Sequence, residues 1–146
     1  MKNLKYILFI FLLSGITETT LYAQDEEQNN VYTVTTTQFI FPDDGSIAEW
    51  DSLNALYMDN VINKNEFIIS QRALRHMWGH NSEDLVYITE YKSFTDIEKG
   101  QARNTELFNE AWATSEERQA YNKAASKYFG DHHSDEIYQE VTNQRK

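Results

Sequence analysis

Apolar positions from residue 31 onward switch between an alternating pattern and a helical one, and the switches mark out six elements. Residues 31–41 are rich in valine, threonine and phenylalanine and read as a strand. Pro42 stops it, because proline has no N–H to give a ladder, and Asp43-Asp44-Gly45 makes the turn. Over residues 47–64, Trp50, Leu53, Tyr57 and Val61 fall on one helical stripe. Residues 67–78 and 85–94 read as a pair of strands. Residues 96–129 read as a broken helix: Ile97, Leu107, Phe108, Ala111 and Trp112 line the first piece, and Ala120, Tyr121, Ala124, Ala125, Tyr128 and Phe129 the last. Gly130 then stands as a helix C-terminal glycine, and residues 134–141 as a closing strand. Three capping boxes punctuate the helices, at Ser46/Glu49, Thr95/Glu98 and Thr114/Glu117.

Strand, helix, strand, strand, helix, strand is the split βαβ plan of ferredoxin-like α+β domains. It predicts an antiparallel sheet in the order 4-1-3-2, with strands two and four at opposite edges. The faces of these strands bear on assembly. Leu85, Tyr87, Thr89 and Tyr91 share one face, and Val86, Ile88 and Glu90 the other; Val34 and Ile40 oppose Phe39 and Phe41. One layer of helices covers one face only, so a second apolar face calls for a cover. A second copy of the sheet is the simplest one, which predicts a homodimer closing a dimeric α/β barrel.

The first 23 residues read as a signal peptide. Lys2 and Lys5 form a basic start, residues 6–13 an apolar run, and Leu21-Tyr22-Ala23 a cleavage site. The run is shorter than the roughly 20 residues a membrane span requires, so no stable span is expected after its removal. Residues 24–30 contain no apolar side chain and read as a flexible leader, leaving residues 31–146 as one domain in a secreted or periplasmic location. There is no cysteine, so the domain is built without disulfides. A formal net charge of −10 repels nucleic acid and anionic lipid, which both need cationic contacts.

Several segments carry a further likeness: Asp44-Gly45-Ser46 with Glu49-Trp50-Asp51-Ser52, the run from Arg75 to Asp84, the run from Glu90 to Glu98, and His133-Ser134-Asp135-Glu136-Ile137-Tyr138. On these, residues 31–141 resemble the dimeric α+β-barrel superfamily, and more narrowly small exported proteins of unassigned function from Bacteroidetes-type bacteria. The superfamily includes cofactor-free monooxygenases, haem-degrading and chlorite-dismutase-like haem proteins, and stress-response members. The resemblance implies fold and assembly; none of the superfamily's catalytic sets maps onto this chain.

The densest local chemistry is His76-Met77-Trp78-Gly79-His80. On an extended strand His76, Trp78 and His80 share a face, and Asp84 and Glu90 of the next strand add carboxylates. This reads either as a ligand pocket with histidine as acid, base or metal ligand, or as an aromatic strand end followed by a polar hairpin turn. The spacing matches no zinc signature, and no metal is expected. His132-His133-Ser134-Asp135-Glu136 reads as a turn or cap between helix and strand. Glu90, if buried beside Val86 and Ile88, needs a partner, and Arg72 or Arg75 is placed to be one; unpaired in a cavity it becomes a general-base candidate. Tyr87, Tyr91, Tyr121, Tyr128 and Trp112 supply aromatic walls. No glycine-rich phosphate loop or serine elbow is present.

The expected function is binding of a small apolar or aromatic ligand in the cleft between sheet and helices, lined by His76, Trp78, His80, Glu90 and Trp112, with no cofactor. Two alternatives stand beside it. One is cofactor-independent oxygenation of an electron-rich aromatic substrate, with His76 or Glu90 taking its proton. The other is a structural or stress-related envelope protein with no ligand.

Overall fold

Alternating β-branched and aromatic residues build four strands, and three helical segments pack over one face of them. The computed structural model describes residues 29–80 and 82–141. The expected signal peptide and leader residues up to 28 lie outside the described residues. The order is β1 (Val31–Phe39), α1 (Ile47–Asn60) with a short 3-10 turn at Ile62–Lys64, β2 (Ile68–Arg75), β3 (Asp84–Tyr91), α2 (Phe94–Ala111), α3 (Ser115–Ser126) and β4 (Phe129–Gln139). The strands form one antiparallel sheet in the order β2-β3-β1-β4, as the element order predicts.

The barrel is not there. The sheet is open, and β2 and β4 end it at opposite edges without pairing to each other. Closing a barrel with a filled interior takes about eight strands, and this chain supplies four. No helix among the described residues is long and apolar enough to cross a membrane.

Several boundaries differ from expectation, some for local and some for long-range reasons. β4 starts at Phe129, five residues early, because Phe129 pairs with Phe39 and His133 with Thr37 across a register shift. Gly130 therefore lies in the strand, where its missing Cβ leaves room for the Gln38 side chain. β2 stops at Arg75, and Gly79 in the following hairpin takes φ +134°, a conformation that favours glycine. α2 is capped at Ser93 rather than Thr95; the Ser93 hydroxyl donates to Asp96 Oδ2 at 2.8 Å. The other two caps form: the Glu49 N–H donates to Ser46 Oγ, and Thr114 with Glu117 makes a complete capping box.

The core lies between the sheet and the helices. Phe39, Trp50, Leu85 and Tyr128 form one cluster, Val31, Tyr91 and Ile97 a second, and Val61, Ile62 and Leu107 a third. Each large apolar side chain removed from water contributes about 1.5–3 kcal/mol. Tyr128 is fully buried, and its hydroxyl is engaged by the Ser46 N–H and carbonyl and by Glu49 Oε2, which ties the start of α1 to β4. Among the described residues no helix covers the opposite face of the sheet. It shows half-buried Val34, Val86 and Ile88 and exposed Leu74 and Tyr138.

Candidate functional site

Residues four and three apart on α1 bring Trp50, Asn54 and Tyr57 onto the stripe that faces the sheet. Alternation on β3 aims Tyr87, Thr89 and Tyr91 up at them, and Thr33 and Thr35 do the same from β1. Phe108 and Gln101 of α2 and Tyr121, Asn122 and Ala125 of α3 complete the walls. Between these layers the side chains leave a cleft of about 400 Å³, also lined by Gln71 and Phe129. That is within the range of small-molecule sites.

The walls are aromatic and held by ring contacts. Tyr57 and Tyr121 stack at 6.4 Å, and Trp112 backs them, 4.4 Å from Tyr121 and 4.7 Å from Phe108. Polar groups in the cleft are all neutral. Tyr121 donates to the Leu53 carbonyl at 3.2 Å and Gln71 to Thr89 Oγ1 at 2.9 Å. The hydroxyls of Tyr57 and Tyr87 make no hydrogen bond to the other described residues, and neither is sealed away from the cleft. Burial is the main force on the phenols. It pushes Tyr121 up to about 12 and raises Tyr87, with the neighbouring Tyr57 and Tyr121 adding to the rise. Burial also raises Tyr57 and Tyr91, although the Thr33 hydroxyl works against the rise at Tyr91. At neutral pH these phenols are protonated, and the two without a partner among the described residues, Tyr57 and Tyr87, can donate to negative charge that develops on a bound oxygen.

The residues singled out from sequence are dispersed. Trp112 sits behind the cleft wall. Glu90 is buried on the opposite face of the sheet, where it accepts hydrogen bonds from Asn30 Nδ2 at 2.6 Å, Ser70 Oγ at 2.7 Å and Tyr32 at 3.0 Å. Ser70 is the residue opposite it, whereas Arg72 lies opposite Ile88 and Arg75 opposite Leu85. Neither arginine forms an ion pair among the described residues. His76, Trp78 and His80 follow the end of β2 and share no strand face; Trp78 is 93% exposed.

His80 instead meets His132 and His133 along an open groove of about 530 Å³ at the hairpin end of the sheet, over Thr36, Thr37 and Gln38. Among the described residues no group of three or more histidines and carboxylates is placed to hold a metal. Sequence reasoning passed over Thr33, Thr35, Asn54, Gln71, Gln101 and Asn122 in the cleft. Their signal was a polar side chain on a stripe or strand face that otherwise points inward.

No protein-family model matches the chain, and no curated protein matches it in sequence. Solved structures share its fold. A nipsnap family protein of unknown function from Agrobacterium tumefaciens has a TM-score of 0.53 at 10% identity, covering 81% of this chain and 94% of that one. A conserved protein from Methanosarcina mazei has a TM-score of 0.51 at 15% identity, covering 79% of this chain and 96% of that one. A proposed antibiotic biosynthesis monooxygenase from Caulobacter crescentus has a TM-score of 0.50 at 11% identity, covering 78% and 92%. At these identities the likeness establishes the ferredoxin-like α+β fold and not the chemistry.

Proposed function

We propose that this protein is a cofactor-independent oxygenase for a flat, electron-rich aromatic molecule bound in the helix–sheet cleft. The observation that carries the reading is the cleft: aromatic walls around neutral donors, with two phenol hydroxyls that have no partner among the described residues. Such a lining stabilises the oxyanion of an enolised or phenolic substrate while the rings clamp its plane. The fold likeness to proposed antibiotic biosynthesis monooxygenases of Caulobacter crescentus and Bordetella bronchiseptica supports an oxygenase over a purely structural role.

The substrate's own acidity supplies the anion. Neither His76 nor Glu90 lines the cleft, so the phenols of Tyr57 and Tyr87 donate to it, while Tyr121, whose hydrogen goes to the Leu53 carbonyl, serves as wall. The reaction balances without a cofactor. An activated CH₂ becomes C=O, one atom of dioxygen stays in the product, and the other leaves as water. The apolar opposite face of the sheet, with Val34, Leu74, Val86, Ile88 and Tyr138, is where we place a second copy of the chain. The expected signal peptide over residues 1–23 supports a secreted or periplasmic site for the reaction.

Anthrone is a suitable probe, being uncharged, tricyclic and activated at one CH₂. The protein should speed its conversion to anthraquinone beyond the spontaneous rate in air, with one oxygen atom taken from isotopically labelled dioxygen. Tyr87→Phe and Tyr57→Phe should each slow turnover about tenfold, the effect of one lost hydrogen bond of about 1 kcal/mol or slightly more in a dry site. A rate no faster than air oxidation, with wild type and variants alike, overturns the oxygenase reading.

A further inference from the structure

The cleft does not end at its aromatic walls. Tyr57, Gln101, Phe108 and Asn122 also line a second, shallower groove of about 380 Å³, which adds Asn104 and Thr105 from α2. In a chain that is 25% charged, no charged side chain among the described residues lines either space. We propose that this groove is a subsite for a neutral, hydroxyl-rich appendage, such as a sugar, carried by the aromatic ligand. The proposal rests on the cleft being a ligand site and not on the oxygenation step.

The argument for it is the way Asn104 is oriented from within the core. Asn65 is 4% exposed, and its Oδ1 accepts from the Phe67 backbone N–H at 3.0 Å. A peptide N–H can only donate, so the Asn65 amide has one orientation, with Nδ2 on the other side. That Nδ2 donates to the Gly100 carbonyl at 2.8 Å and to Asn104 Oδ1 at 2.7 Å. Asn104 is thereby held with its oxygen inward, leaving its NH₂ as a donor with no other partner among the described residues.

Thr105 has the opposite polarity. Its hydroxyl donates to the Gln101 carbonyl at 3.1 Å, which leaves its oxygen to accept. The side-chain amides of Gln101 and Asn122 make no hydrogen bond among the described residues and offer both kinds of group. A fixed donor, a fixed acceptor and two adaptable amides suit hydroxyls, each of which donates and accepts. A phosphate or carboxylate would find no cation here, in a protein of net charge −10.

Three fluorescent probes test this on the whole chain: naphthol, naphthyl glucoside and naphthyl phosphate. Wild type should bind naphthol, bind the glucoside more tightly, and bind the phosphate more weakly than either. Asn104→Ala should weaken the glucoside about five- to tenfold and leave naphthol within about twofold. Asn104→Asp keeps an oxygen for Asn65 Nδ2 but replaces the groove's donor with a charged acceptor. With an unchanged Tm it should change glucoside affinity while leaving naphthol within about twofold, which separates recognition from folding.

A glucoside no tighter than naphthol overturns the subsite. So does a loss at Asn104 that strikes both ligands equally, or a phosphate that matches the glucoside. If naphthol itself does not bind, the cleft reading falls and the subsite falls with it.

Discussion

The two faces of the sheet hold opposite kinds of polar chemistry. Under the helices the phenols of Tyr57, Tyr87 and Tyr121 and the amide of Asn54 stand around a space the side chains do not fill. On the other face Glu90, 7% exposed, is packed among three donors from β1, β2 and the segment leading into β1. By residue type Glu90 is the better catalyst. By environment it is a strut: its oxygens are occupied by Asn30, Tyr32 and Ser70, whereas the hydroxyls of Tyr57 and Tyr87 are open to a ligand. What makes a group available for chemistry is unfilled space beside it, not its reputation as an acid or base.

The largest effect that would test this contrast is alkaline unfolding. Burial raises the phenols of Tyr57, Tyr87, Tyr91 and Tyr121, so the folded state holds their protons more tightly than the unfolded chain does. Their stabilising contribution is fully present below the unfolded value of about 10, and it is lost as pH rises through the folded values, which for Tyr121 means about 12. Tyrosinate absorbance and circular dichroism followed together should show these phenols ionising only as the fold opens. Ionisation of all nine tyrosines ahead of any loss of structure would mean that the cleft is wetter than described.

Next comes Glu90→Gln, which sets an NH₂ against donors and should cost about 1–3 kcal/mol in urea unfolding, with naphthol affinity unchanged. If ligand affinity falls in step with stability, the two faces are not independent. The smallest effect belongs to the hairpin tip. Trp78→Ala removes a side chain that touches little and should alter stability by less than about 0.5 kcal/mol and cleft binding not at all. A larger loss of binding would return the hairpin to the site.

Local pattern was enough for the element order and the order of strands in the sheet, because both follow from periodicity and from the short connections between neighbours. It was also enough to put Trp50 and Tyr57 on one stripe and Tyr87 and Tyr91 on one face, but not to say which face of β3 the helices cover: Glu90, expected in the cleft, lies on the other. The start of β4 moved because of distant pairing, and the start of α2 moved through a local contact at Ser93. Residues 129–133 became strand because β1 offers them a partner some 90 or more positions earlier in the chain, and β2 ended short of His76, Trp78 and His80.

The open edges of the sheet and the space beneath the helices were settled only in three dimensions. Periodicity states which way a side chain points, and the separation of the layers decides whether anything meets it. Asn65 and Asn104, 39 positions apart, illustrate the limit. Each is an ordinary amide in the sequence, and only the fold turns one into the clamp that orients the other.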